Sequence, residues 1–293
     1  MQGLIIENIS NTYKVKNDHT IYTTTARGKF KKDQIVPVVG DIVELAEINN
    51  EKQEAVIENI LPRTNFIKRP KVSNITQLVF VLSSQNPKPD LLMLDKQLAF
   101  AEFLKIKSVI VLNKIDLDDK TLFKNIKKTY KDIGYKVIET QANQGNGVKD
   151  LLKLMNNNIN VFSGNSGVGK STLINAIFKN NVTLEGEISE KNKRGKNTTT
   201  SIKLYEIDQN TYIADTPGFS TFDISEIEAK DLENYFIEFK KEIPNCKYIG
   251  CTHIKEENCG VKKAIEEGRI NKDRYNRFCK IYNELKNGKQ FKK

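Results

Sequence analysis

The sequence predicts a multidomain α/β protein with a β-barrel at its N-terminus, a parallel-sheet domain in the middle and a helical segment at its C-terminus. Three observations carry this. Short β-rich runs with no helical period occupy residues 1–68, apolar strands alternate with helical patterns from about 73 to 222, and the chain turns helical and polar over 223–293. A chain of 293 residues is long enough for two or three cores.

The first runs are GLIIENIS, YKVKN, IYTTTARG, DIVELAEI and EAVIENIL, separated by Gly, Asn and Asp turns. That pattern reads as a small all-β barrel. Between the third and fourth runs, Arg27, Lys29, Lys31 and Lys32 surround Phe30. Such a loop offers a ring to stack on a nucleobase and cations for phosphates; the alternative is a solvated hairpin whose Phe30 packs inward. Pro62, Arg63 and the run KRPKVSN read as the linker into the next domain.

The middle of the chain then reads QLVFVLSS (strand), PDLLMLDKQLAFAEFL (helix), KSVIVLNK (strand), KTLFKNIKKTYKDIG (helix), YKVIET (strand), VKDLLKLM (helix) and INVFSG (strand). Apolar strands linked by helices imply a parallel sheet covered on both faces. Beyond residue 223, helical stretches near 225–240 and 260–288 flank a cysteine cluster.

The composition carries 47 Lys and Arg against 37 Asp and Glu, a net charge of +10, and the excess is concentrated in residues 262–293, with 11 basic and 4 acidic side chains. A basic surface favours a polyanionic partner, although lysine-rich composition also serves solubility. No apolar run approaches the roughly 18 residues of a bilayer span. The start, MQGLIIENIS, lacks the plan of a secretory leader. A cytoplasmic protein without a membrane partner is expected.

Residues Gly164, Asn165, Ser166, Gly167, Val168, Gly169, Lys170 and Ser171, followed by Thr172, spell G-x-x-x-x-G-K-[ST] between the strand INVFS and the helix STLINAIFK. Glycines there let backbone N–H groups turn towards phosphates, Lys170 reaches the β- and γ-phosphates, and the Ser171 hydroxyl is a magnesium ligand. Asn113, Lys114, Ile115 and Asp116 close the strand SVIVL as N-K-x-D. A carboxylate such as Asp116 accepts from guanine N1–H and the 2-amino group, a donor pair that adenine lacks, so GTP is expected over ATP. Asp215 and Gly218 lie in DTPG after the strand TYIA; Asp215 would hold magnesium through water and the Gly218 N–H would meet the γ-phosphate.

Asn113 precedes Gly164 by about 50 residues, whereas in familiar GTPases the phosphate loop comes first. The domain is therefore circularly permuted. With NKID, GNSGVGKST, RGKNTTT and DTPGF in this order, a β-rich head and a cysteine-bearing tail, the chain resembles the small ribosomal subunit biogenesis GTPases of the RsgA/YjeQ type over essentially its whole length. The resemblance implies an N-terminal OB-fold over 1–68, a circularly permuted P-loop GTPase domain over 69–222 and a C-terminal helical zinc-binding domain over 223–293. It also implies binding of GTP and GDP, the 30S ribosomal subunit and 16S rRNA, with GTP hydrolysis stimulated by the ribosome; a monomer is expected, although the sequence does not give the oligomeric state.

Phe219 follows DTPG directly, where many GTPases have a water-orienting Gln, so slow intrinsic hydrolysis is expected. The family commonly has His in the motif before the strand SIKLY, where this chain has Asn197. Asn197 can hydrogen-bond a water but cannot titrate. Thr198 or Thr199 would close on magnesium and the γ-phosphate, and the sequence does not choose between them. A nucleotide-gated RNA-binding protein with little hydrolysis and a P-loop ATPase are the other classes the motifs allow.

Cys246, Cys251, His253 and Cys259 offer three thiolates and one imidazole within 14 residues. Four protein ligands would make a closed, structural zinc site, with unpaired thiols as the alternative from spacing alone. The resemblance implies zinc, one per chain. Cys279 falls outside the pattern and reads as a packing residue.

Overall fold

The structure is a computed structural model that describes residues 1–28, 30, 35–118, 121–179, 202–215 and 224–290. Strands β1 (Gln2–Ile9), β2 (Thr12–Asn17), β3 (Thr20–Ala26), β4 (Ile42–Asn49) and β5 (Glu54–Ile60) pair in the order β1-β2-β3-β5-β4, and β4 pairs back onto β1 to close a five-stranded barrel. Only β3 and β5 run parallel. Alternate residues point inward: Ile5, Tyr13, Val15, Tyr22, Val43, Leu45 and Ile57 fill the barrel.

Phe30 belongs to this interior, 8% exposed. The base-stacking role expected of it is therefore corrected. Burying a phenyl ring in an apolar core outweighs displaying it in water, by about 1.5–3 kcal/mol. Arg27 of the same loop forms ion pairs with Glu47 and Glu58. Lys29, Lys31 and Lys32 lie outside the described residues.

The stretch read as a linker is an ordered hairpin, β6 (Phe66–Lys68) with β7 (Lys71–Ser73). Its inward residues Ile67 and Val72 are buried, and Asp41, fully buried, ties it to the barrel. Asp41 accepts from Arg63 Nε at 2.7 Å, Ser73 Oγ at 2.6 Å and the Val38 N–H at 2.8 Å. A buried carboxylate needs such donors, and none of them is recognisable from composition.

The central sheet runs β10 (Lys136–Thr140), β9 (Lys107–Asn113), β8 (Gln77–Ser83), β11 (Ile159–Ser163), β13 (Thr211–Asp215), β12 (Lys203–Asp208). The first five are parallel; β12 is antiparallel to β13. Every residue of β8 is buried, because both faces are covered. Leu78, Phe80 and Leu82 enter one core with helices α1 (Leu91–Phe103) and α2 (Leu122–Ile133). Val79 and Val81 enter the other with α3 (Val148–Met155) and α4 (Lys170–Lys179). On its far edge β12 pairs with β1 through Glu7 and Lys203, so barrel and sheet are continuous. Lys203 Nζ reaches Glu7 at 3.6 Å, and Lys16 pairs with Glu206.

The C-terminal segment opens with four short 3-10 turns between Ile224 and Asn245, where one helical stretch was expected. Helices α5 (Gly260–Glu266) and α6 (Lys272–Gln290) follow. Phe236, Phe239, Phe278 and Ile281 carry this segment onto the α1 face of the sheet in the same core as Leu94 and Leu98. At the centre of that contact Arg274 is 1% exposed and Asp95 of α1 is 0% exposed. Arg274 donates to Asp95 and, at 2.6 Å, to Glu238; Arg277 donates to the other Asp95 oxygen, and Tyr130 of α2 donates to Asp95 at 2.7 Å. Burial and the Asp95 charge hold the Tyr130 phenol well above its ordinary range, so it stays a donor. Two of the basic residues counted in the tail are thus neutralised inside the molecule. Among the described residues, no helix is long and apolar enough to cross a membrane.

Asp95→Ala leaves two guanidinium groups without their shared carboxylate, one of them fully buried. Unfolding in urea should show a loss of about 3–5 kcal/mol, and a loss below 1 kcal/mol would mean that this contact does not hold the tail.

Candidate nucleotide and metal sites

The residues after β11 turn sharply towards β8. Gly164 has φ +147°, and a Cβ placed there would stand 2.3 Å from the Val81 carbonyl oxygen; Gly169 has φ +95°, and a Cβ there would meet Asn113 Nδ2 at 2.4 Å. Glycine is required at both for the loop to lie against the ends of β8 and β9. Val168 is buried beneath the loop, while Ser166, Gly167, Ser171 and Thr172 face solvent. Lys170 opens α4, and its ammonium donates to the carbonyls of Gly164 at 2.5 Å and Asn165 at 2.9 Å. Desolvation lowers its pKa. The N-terminus of α4 thus faces the same side as an ammonium and a run of exposed loop backbone, an arrangement suited to phosphate.

Asn113, 2% exposed, joins this loop to the rest of the site. Its amide donates to the Val168 carbonyl at 3.0 Å, and its oxygen accepts from Thr140 Oγ1 at 2.9 Å and the Ala142 N–H at 3.2 Å. Lys114, at φ +61°, donates to the carbonyls of Gly167 at 2.6 Å and Asn86 at 3.1 Å. A 3-10 turn over Ile115–Leu117 then leaves Ile115 and Asp116 exposed beside the loop that Lys114 holds. Thr140 and Ala142 belong to none of the sequence motifs. They enter because the parallel register sets Thr140 opposite Asn113, a relation that only strand pairing creates.

Asp215 ends β13. Asn197, Thr198, Thr199, Gly218 and Phe219 lie outside the described residues.

In the tail, the ligand atoms of Cys246, Cys251, His253 and Cys259 all lie within 4.8 Å of one another, and three of the four residues are buried. His253 Nδ1 stands 3.2 Å from Cys259 Sγ and 3.6 Å from Cys246 Sγ. Its other ring nitrogen faces Glu233, with which it forms a hydrogen-bonded contact. The Gly260 N–H points at Cys246 Sγ from 3.3 Å. Three sulfurs and one nitrogen converging on a small volume fit a soft or borderline metal ion, and a carboxylate behind the imidazole is the usual way of orienting a ligating His. Glu233 stands 20 residues from His253, with no spacing to mark it in the sequence. Around the cluster, Glu256 accepts from Thr252, Ile254 and Lys255. Against the desolvation that would raise it, these bonds bring its carboxyl down to about 2. Cys279 stands on α6, half-buried and outside the cluster.

In this sheet the strand that ends in NKID comes earlier in the chain than the strand that feeds the phosphate loop, although the two lie either side of β8. The class so defined is a circularly permuted GTPase joined to a barrel and a Cys₃His tail. Residues 60–225 match the RsgA GTPase family and residues 2–57 the RsgA N-terminal domain. The chain is 44% identical over 292 residues, 100% of both chains, to the small ribosomal subunit biogenesis GTPase RsgA of Clostridium acetobutylicum. It is 40% identical to that of Caldanaerobacter subterraneus subsp. tengcongensis, over 98% of this chain and 96% of the relative. Among solved structures, YjeQ from Thermotoga maritima superposes with a TM-score of 0.84 at 33% identity, covering 97% of this chain and 98% of the other. YloQ, a circularly permuted GTPase, gives 0.82 at 31% identity, with 98% and 95% covered. The chain belongs to the RsgA GTPase family, and its reaction is GTP hydrolysis.

Glu233→Ala should lower the affinity of the Cys₃His cluster for a divalent metal by about 10- to 100-fold, measured by competition with a chromogenic chelator. Wild-type affinity would show that Glu233 does not orient the imidazole.

Proposed function

We propose that this protein is a GTPase that binds the small (30S) ribosomal subunit, contacts 16S rRNA and assists late maturation of that subunit, acting as a monomer in the cytoplasm. The observation that carries the nucleotide part is the bonding of Asn113, which brings the phosphate loop, the end of β9 and the start of the segment after β10 into one site. The names of the full-length relatives support the ribosomal part. The working division is a barrel over 1–68 for RNA, a G domain over 69–222 and a zinc domain over 223–293.

In this reading Lys170 exchanges its carbonyl partners for the β- and γ-phosphates, and the backbone N–H groups from Gly164 to Gly169 surround the same oxygens. Asp116 accepts from the guanine edge. Ser171 and Asp215 would hold magnesium, which when bound neutralises charge on the transferred phosphoryl group. The hydroxyl of Ser171, exposed on the first turn of α4, fits such a hard ion. Cys246, Cys251, His253 and Cys259 would hold one structural zinc, all four positions being taken by protein. Asn197 orients the attacking water, and Thr198 or Thr199 closes the site. Because phosphoryl transfer asks the protein mainly for positioning and charge stabilisation, an amide suffices where a base is absent.

Turnover of GTP and ATP with and without 30S subunits tests the whole reading: GTP should be preferred and its kcat raised strongly by subunits. Asp116→Asn should weaken GTP by about 10- to 100-fold, the worth of charged hydrogen bonds, and shift selection towards xanthosine triphosphate. Unchanged GTP affinity on titration would remove Asp116 from the base site. Asn197→Ala should lower the stimulated kcat by about 10²-fold with GTP affinity kept, and the wild-type rate should show no titration near pH 6.5, where an unperturbed His would. Wild-type stimulated turnover in that variant would assign the water to another group.

A further inference from the structure

The nucleotide site occupies one edge of the central sheet, beyond the carboxyl ends of β9 and β11. The opposite edge, where β8, β9 and β10 begin, carries a separate groove of about 830 Å³ between the sheet and the C-terminal segment. Lys105, Lys107 and Lys136 line it from the sheet side, and Lys240 lines it from the 3-10 turn Ile237–Lys241. All four are exposed. The one carboxylate in the lining is Glu102, which is half-buried at the end of α1.

Some surface lysines stand opposite carboxylates, as Lys96 with Glu284, Lys127 with Glu139, Lys153 with Asp150 and Lys230 with Glu228. In the groove, none of the four forms a close ion pair among the described residues: Lys107 reaches the Asn158 side-chain oxygen at 3.5 Å, and Lys240 acts on Glu102 through its charge alone, which leaves three lysines without a carboxylate in the lining. Four ammonium groups lining one concavity repel each other, and a concave wall focuses their field. A spaced polyanion relieves that repulsion and releases its own counterions in doing so.

We propose that this lysine groove holds an RNA phosphodiester backbone while GTP occupies the opposite edge of the sheet. Naming RNA rests on the reading of the chain as a small-subunit factor. Lysines suit the role because each ammonium is a point charge that follows a phosphate without demanding a fixed plane. The groove is built from both the sheet and the C-terminal segment, which Arg274 and Asp95 hold together. It is therefore preformed, and it does not share a residue with the nucleotide site.

The test compares the full-length wild type, a variant with Lys105, Lys107, Lys136 and Lys240 each changed to Ala, and a control, Lys153→Ala with Lys230→Ala. Binding to 30S subunits and to protein-free 16S rRNA is measured from 50 to 300 mM KCl. Each lost phosphate contact removes about 0.7–0.9 from the slope of log K against log salt, so the four-lysine variant should lose about 3 in slope on both targets. Its affinity near 150 mM salt should fall at least tenfold, while the control keeps the wild-type line. GTP hydrolysis without RNA should equal wild type in all three, since the substitutions are exposed and remote from the phosphate loop.

A wild-type slope and affinity on protein-free rRNA overturns the proposal. If the variant then binds subunits less well, the groove takes an acidic protein segment instead. If the wild type itself ignores 30S subunits, the small-subunit reading fails, and the protein-free rRNA arm still decides the groove.

Discussion

A carboxylate with no access to water must be satisfied from within, and Asp95 meets that requirement with three donors from two helices. Tyr130 comes from α2, Arg274 and Arg277 from α6, and Glu238 takes the remaining capacity of Arg274. Such a cluster adds little stability over an apolar core of the same volume, but it is costly to break and so fixes geometry. Here it makes the C-terminal segment part of the body that carries NKID, since α1 and α2 flank β9. The Arg274 guanidinium also lies over Phe236 at 4.6 Å and over Tyr130 at 5.4 Å, which spreads the contact over the aromatic core.

The barrel is held at the other side of the sheet. Its β1 pairs with β12, and β12 with β13, so the hairpin between the RGKNTTT and DTPG segments is bound to the barrel through Glu7 and Lys203. Circular permutation makes this possible. With the usual chain ends moved elsewhere, β8 becomes the entry to the G domain, directly after the barrel and its hairpin, and the exit after β13 leads straight into the tail. The nucleotide motifs thus sit between two fixed modules, each joined to the sheet by backbone pairing or a buried ion cluster.

The Cys₃His cluster follows a similar logic on a smaller scale. His253 adopts φ +61° and is fully buried, with one nitrogen towards two sulfurs and the other towards Glu233. Tyr275 of α6 donates to the His253 carbonyl at 2.6 Å, so the ligand loop is bound to the same helix that carries Arg274. Fold and ligand set support one another: the helix orients the loop, and the loop closes the end of the aromatic core at Phe239 and Phe278.

Local pattern was sufficient for most of the elements and marked the candidate sites. Short β-rich runs between turn residues marked the five barrel strands, and continuous apolar runs marked β8, β9 and β11. Strand–loop–helix context located Gly164 to Ser171, and ligand types at close spacing picked out Cys246, Cys251, His253 and Cys259. These features are short-range, and each is written within about a dozen adjacent residues. Packing settled what remained. Phe30 reads equally well as a displayed or a buried ring, and the barrel interior decided it. Arg274 reads as one more surface charge in a basic tail, yet its partner Asp95 lies 179 residues away. Thr140 acquires its place from the register with Asn113, and Glu233 from the turn that brings it behind His253. A buried polar group is defined by the donors and acceptors that folding brings to it, and those come from distant parts of the chain that no local pattern connects.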